Sequence, residues 1–300
     1  MGKGVAKALA IYPGEKNELI ILCRSEKLGQ KTLDELKVNN ASTALSLVIC
    51  DLSDIGSVQR AVMEIKGKHD YLDSIFINAG IGYASKRIET VDGMDSHFQV
   101  NYLSQFYLLV QLLELLEKSA RGGRVIFNAT PGGKIHWDDL QMVKAWGYEK
   151  AIQQAMVAKR MLLLQMHELY RNAPKRVSFV GFSINKIVWS NQLNIIPTSM
   201  RISATIMKVF GMFISIEECG DIMAPLFMND EPWISTNSGC LLTWKKNKFQ
   251  RIEESEDVTH ERKRKDLLDY SLRRCDDDST TAIFARLEPR FGNGSPAARP

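Results

Sequence analysis

Three hundred residues, 45% hydrophobic and 25% charged, are enough to bury one full core, and a formal net charge of +4 is small for a chain of this length. The densest basic run, Glu261-Arg262-Lys263-Arg264-Lys265, stands close to the acidic Asp276-Asp277-Asp278, which argues against a nucleic-acid surface. No stretch reaches the roughly 18 consecutive apolar residues of a membrane-spanning helix, so no transmembrane segment is expected. The five cysteines, Cys23, Cys50, Cys219, Cys240 and Cys275, have no paired spacing, so neither a metal site nor a disulfide framework is indicated. Lysines interrupt the first ten residues, which therefore lack the apolar stretch of a signal peptide. Reduced thiols in the cytoplasm or another reducing intracellular compartment are the expectation.

In chain order, short apolar runs at residues 19–23, 46–50, 74–77, 124–128 and 177–182 read as strands. Between them, residues 55–66, 94–118 and 149–170 carry apolar positions at three-to-four spacing and read as crossover helices. This alternation predicts an α/β fold with a doubly wound parallel sheet of Rossmann type. Residues 191–217 are apolar and Met-rich, suiting either a mobile lid over a small apolar molecule or an ordinary core or dimer helix. From Asp276 the composition turns to Asp, Ser, Thr, Gly, Ala and Pro, so one domain over residues 1–275 and a disordered tail over 276–300 are expected.

Asn78-Ala79-Gly80, directly after the run Ser74-Ile75-Phe76-Ile77, resembles the end of the fourth strand in short-chain dehydrogenases/reductases. The resemblance runs from about Met1 to Phe182 and rests on several features in the right order. It implies that Gly80 lets the backbone approach a cofactor ribose and that Asn78 stabilises the carboxyl edge of the sheet. Arg24, after the run Leu19-Ile20-Ile21-Leu22-Cys23, falls where members that use NADP carry an arginine for the 2′-phosphate; a solvated arginine is the plainer alternative. Asp51 matches a residue contacting the adenine, although Asp51 or Asp54 could equally be a helix N-cap. Asn101 matches the asparagine that holds a water in the family's proton relay, and Thr130 matches the catalytic serine and keeps its hydroxyl.

Three departures accompany these matches. The family's mechanism needs Tyr-x-x-x-Lys on one helix, a spacing that stacks both side chains on one face about 6 Å apart and lets the lysine lower the tyrosine's pKa. Here the register that puts Lys159 at the lysine puts Ala155 at the tyrosine, and Tyr148 lies eleven residues before Lys159, about 16 Å of helical rise. Tyr148 is thus a substitute phenol or simply a capping aromatic. At the start, Gly2 and Gly4 match the last glycine of the phosphate-binding turn and the helix after it, while the first strand is missing from the pattern. At Ile184-Asn185 the family's Pro-Gly is absent, and an asparagine in left-handed conformation would preserve the turn.

The resemblance therefore implies an oxidoreductase that uses NADP to pass hydride to or from an apolar carbonyl or alcohol, with Asn101 and Thr130 orienting and Lys159 binding the ribose. A catalytically degenerate binder of a ligand or partner, and a non-redox isomerase or cyclase in the same pocket, stay open. A homodimer or homotetramer through the helices at 94–118 and 149–170 is a further implication of the resemblance.

Overall fold

A computed structural model describes residues 1–12, 18–39, 43–173, 176–188, 212–228, 233–275 and 277–287. Helix α1 (Gly2–Ala10) leads into strand β1 (Glu18–Cys23), helix α2 (Glu26–Asn39), β2 (Ala44–Ile49), α3 (Ile55–Lys68) and β3 (Ser74–Ile77). A short helix α4 (Ser96–Phe98) passes through a π-helical turn (Gln99–Leu103) into α5 (Ser104–Glu117), followed by β4 (Gly123–Asn128), α6 (Tyr148–Tyr170) and β5 (Val177–Ser183). The two-residue strands β6 (Ile187–Val188) and β7 (Phe213–Ile214) precede α7 (Ile216–Met228) and α8 (Trp233–Thr236). The hairpin β8 (Leu241–Lys245) and β9 (Lys248–Ile252) and the helices α9 (Glu256–Thr259), α10 (Glu261–Cys275) and α11 (Asp278–Leu287) complete the chain.

The main sheet has the order β3-β4-β5-β8-β9, parallel except for the antiparallel edge strand β9. Its central strands are apolar on both faces, as a sheet covered by helices on both sides requires. Val125, Phe127 and Phe179 join the core under α3, α5 and α6, while Ile126, Val180 and Phe182 join the core under α1 and α7. β1 and β2 form a separate parallel pair. Among the described residues β1 pairs only with β2 and β3 only with β4, so the sheet is divided at the place where the missing first strand was expected. The exposure of the strands follows: β4 is buried at all but its last residue, whereas β1 is exposed or half-buried throughout.

α1 closes one face by lying against α7 with almost no separation. A Cβ on Gly4 would stand 1.7 Å from the Ile216 carbonyl oxygen, and one on Gly220 would stand 2.2 Å from the Gly4 oxygen. No side chain fits at either position, so these two glycines are what let the helices cross this closely.

The opposite face corrects one expectation. Residues 278–287 are helical: Ile283, Phe284 and Leu287 give a short apolar stripe, and Asp277 accepts from the Ser279 amide at 2.9 Å to start the helix. The polar composition of 277–281 hid that stripe; residues 288–300 lie outside the described residues. α10 and α11 pack on α5 and α6, the helices through which self-association was expected. Tyr102 shares a hydrogen bond with Ser271 at 2.7 Å, and Tyr107 donates to Asp277 at 2.7 Å. Phe106 stacks on Phe284 with ring centroids 5.8 Å apart, and Arg264 grips Glu168 with bonds of 2.6 and 2.7 Å.

Of the Met-rich segment 191–217, positions up to 211 lie outside the described residues. Its described end pairs in parallel with the strand before it, the Ile187 amide donating to the Met212 oxygen at 2.9 Å, and Ile216 already belongs to α7.

Candidate active site

The carboxyl ends of β3 and β4 and the start of α1 meet at one place. A Cβ on Gly2 would lie 2.8 Å from the Asn78 amide nitrogen, so the N-terminus of α1, with its unsatisfied amides, abuts the end of β3. Asn128, at the end of β4, leans across to the Asn78 carbonyl and side-chain oxygens at 3.5 and 3.4 Å. On its other side the Asn128 carbonyl accepts from the Lys159 ammonium at 3.3 Å.

The loop after β3 is fastened by one helical stripe. His97, Asn101 and Gln105 follow each other at four-residue spacing and so share a face. The Asn101 side chain accepts from the Ile81 amide at 2.8 Å and donates to the Ile81 oxygen at 3.0 Å. His97 Nε2 donates to the Gly82 oxygen at 2.7 Å, which fixes that nitrogen as the protonated one, and Gln105 donates to the Ala79 oxygen at 2.6 Å. The π turn at Gln99–Leu103 carries Asn101 into place. A Cβ on Gly80 would press on Asn101 Oδ1 at 3.1 Å, so glycine suits the position. Asn101 thus spends both ends of its amide on the loop backbone.

Lys159 is 1% exposed. Burial alone lowers its ammonium from 10.5 to about 7, with no neighbouring charge acting on it. Ala155, one turn earlier on the same face, is completely buried. Thr130, two residues past Asn128, is exposed.

Tyr148 is not brought to this cluster. It opens α6, its ring meets Tyr83 edge-on at 5.0 Å, and its hydroxyl donates to Glu149 at 3.0 Å. That bond raises the phenol's pKa, the opposite of the activation a catalytic tyrosine needs. Since α6 is unbroken from Tyr148 to Tyr170, about 16 Å of rise separates it from Lys159.

Arg24 stands exposed just past β1. Asp51 follows β2 by two residues and accepts from the amide and hydroxyl of Ser53 at 2.9 and 2.7 Å. The first amide of α3 is capped by neither Asp51 nor Asp54: Ile55 donates to Asp92 at 2.9 Å. Positive φ among non-glycine residues is confined to Met142, Lys246 and Asn247 within the described part, so Asn185 does not reproduce a glycine turn. Within the same part, no three His, Cys, Asp or Glu side chains cluster as metal ligands, and no helix is long and apolar enough to cross a membrane.

The sequence reading missed Asn128, His97 and Gln105. The four-residue spacing of His97, Asn101 and Gln105 was a signal in plain view, while Asn128 had only its place at a strand end.

Residues 1–142 match the family model described as short chain dehydrogenase. Among curated proteins, a WW domain-containing oxidoreductase of Drosophila melanogaster is 35% identical over 106 residues, 35% of this chain and 26% of that protein. A polyprenol dehydrogenase of Homo sapiens is 27% identical over 159 residues, 51% of this chain and 47% of that protein. The matches thus span about half or less of these relatives' length. An uncharacterized protein from Mycobacterium paratuberculosis superposes with a TM-score of 0.66 at 18% identity, covering 91% of this chain and 90% of that one. The NADPH-bound carbonyl reductase from chicken fatty liver superposes with a TM-score of 0.58 at 19% identity, covering 81% and 91%. With the strand-end asparagine and glycine, the parallel sheet and the lysine of α6 all in family order, the chain is similar to the short-chain dehydrogenases/reductases, and over residues 1–142 it matches their family model.

Proposed function

We propose that this chain binds a nicotinamide dinucleotide, NADP in preference to NAD, and catalyses oxidation or reduction of an apolar alcohol or carbonyl compound. The observation that carries the reading is the meeting of the α1 N-terminus, Asn78 and the Lys159-bearing face of α6 at the carboxyl ends of parallel strands. A helix N-terminus there favours an anionic phosphate group, and the switch region of such a sheet is where dinucleotides bind. The cradle fits in part: Gly2 and Gly80 let the backbone lie close against the Asn78 and Asn101 side chains, and Lys159 offers a cation that, among the described residues, no carboxylate occupies.

When bound, the nicotinamide supplies or accepts the hydride. Asn101, His97 and Gln105 hold the loop that would lie along it, Asp51 would meet the adenine, and Arg24 would offer a guanidinium to a 2′-phosphate. Thr130 presents a hydroxyl to the substrate oxygen. The NADPH-bound carbonyl reductase and the polyprenol dehydrogenase named above support the cofactor and the apolar substrate class by similarity.

Calorimetric titration with NADPH and NADH tests the reading. Binding of NADPH at least tenfold tighter than NADH, with the preference abolished in Arg24→Ala, is the expected result. Failure of the folded protein to bind either nucleotide overturns it and favours a binding protein or a non-redox enzyme.

A further inference from the structure

We infer that Lys159 itself, in the absence of a tyrosine at position 155, exchanges the proton with the substrate oxygen. This inference rests on the oxidoreductase reading above and assigns the role that reading leaves vacant. Ala155 precedes Lys159 by one turn and ends at its methyl, so the phenol that would stand between lysine and substrate is gone. An ammonium has three protons to donate, and among the described residues Lys159 commits one, to the Asn128 oxygen.

Several charged groups on or beside α6 have partners of their own. Arg160 pairs with Glu254 at 2.8 Å and Glu168 with Arg264. Asp95 caps α4 through the His97 and Phe98 amides, and Asp257 holds Lys263. On β4, Arg124 donates to the Phe227 oxygen, and β5 carries no charged side chain. Of Asn78, Asn128 and Lys159 at the strand ends and Asn101 on the adjoining loop, only Lys159 titrates near neutrality. The ammonium held near 7 by burial means that acid and base forms coexist at neutral pH, as a general acid requires.

In the reducing direction a bound reduced nicotinamide would supply hydride to the carbonyl carbon, and the carbon–oxygen π pair would move to oxygen. That oxygen takes a proton from the Lys159 ammonium, the product leaves as an alcohol, and the neutral amine is reprotonated from water.

The test uses the full chain, wild type and Lys159→Arg, with 9,10-phenanthrenequinone as the carbonyl probe. NADPH affinity is measured by calorimetry, quinone reduction as a function of pH, and lysine titration by NMR of ¹³C-lysine-labelled protein. The expected results are a wild-type rate that falls as pH rises above about 7, and one lysine signal titrating there that Lys159→Arg removes. Arginine keeps the positive charge, so NADPH affinity should stay within about threefold while turnover drops at least about 100-fold and the break near 7 disappears. Lys159→Arg with unchanged turnover and pH profile overturns the inference alone, as does a Lys159 signal titrating near 10 or NADPH binding without quinone reduction by the wild type. No NADPH binding by the wild type overturns the oxidoreductase reading, and the inference falls with it.

Discussion

Lys159 and Arg160 are consecutive on α6 and equally buried, each 1% exposed, yet the two sides of the helix treat them in opposite ways. The side under the C-terminal elements answers charge with charge: Arg160 bonds Glu254 at 2.8 Å and the Gly132 oxygen at 2.7 Å, and Arg264 reaches Glu168 a few turns away. Among the described residues, the side at the strand ends gives Lys159 one carbonyl at 3.3 Å and no carboxylate. Completed pairs hold a structure and contribute little else, whereas an unpaired buried cation is costly and persists where its proton or its charge is used.

The largest way to break this comparison is to strip the paired side. Deleting residues 277–300 removes Phe284 and Leu287 from α5 and leaves Tyr107 and Gln111 without Asp277, Ser279 and Thr280. A loss of about 5 kcal/mol or more follows from two large apolar side chains and unsatisfied polar groups. Urea denaturation measures it, and sedimentation should show the truncated chain associating through the uncovered face of α5. Arg160→Met comes next, leaving Glu254 buried without a partner, and should cost about 3 to 5 kcal/mol in the same assay.

Lys159→Met sharpens the comparison with the opposite sign. The folded value is lowered to about 7 from 10.5, so between those values the unfolded chain binds the proton and the folded chain does not. Wild-type stability should therefore be lowest and flat below about 7 and rise toward about 10.5. Replacing the lysine by methionine should stabilise the protein below about 7, by an amount of the order of several kcal/mol, with the advantage shrinking as pH rises. Thermal melts at pH 6 and pH 9 read it directly. A methionine variant no more stable at pH 6 than the wild type would mean that the charge is compensated after all.

What could be read beforehand divides along physical lines. The continuous apolar runs mark β3 to the residue and β4 and β5 within one, because a strand buried on both faces needs no context to be recognised. The β8–β9 hairpin escaped because its two-residue turn is Lys246-Asn247, both at positive φ, instead of a glycine-containing pair. α7 escaped because Pro225 lies inside it, and α11 because five polar residues precede its apolar stripe. At the site, Asn101 bonds the loop just past Gly80, and Asn78 and Lys159 both meet Asn128. Asn128, which joins Asn78 to Lys159, was invisible because it acts through backbone and amide contacts to partners 50 and 31 residues away.

The smallest expected effect separates the two candidate proton carriers. Tyr148 is at the mouth of α6, its hydroxyl turned to its own neighbour Glu149, and that hydrogen bond holds its proton more tightly than in free tyrosine. Tyr148→Phe removes one exposed hydrogen bond and keeps the edge-on contact with Tyr83, so stability should change by less than about 0.5 kcal/mol. Quinone reduction should change by less than about twofold with the pH break unmoved, since general acid–base catalysis by a positioned group contributes about 100-fold or more. A drop of that larger size in Tyr148→Phe, with Lys159→Arg still active, would hand the proton back to the phenol and require α6 to deliver it across three turns of helix.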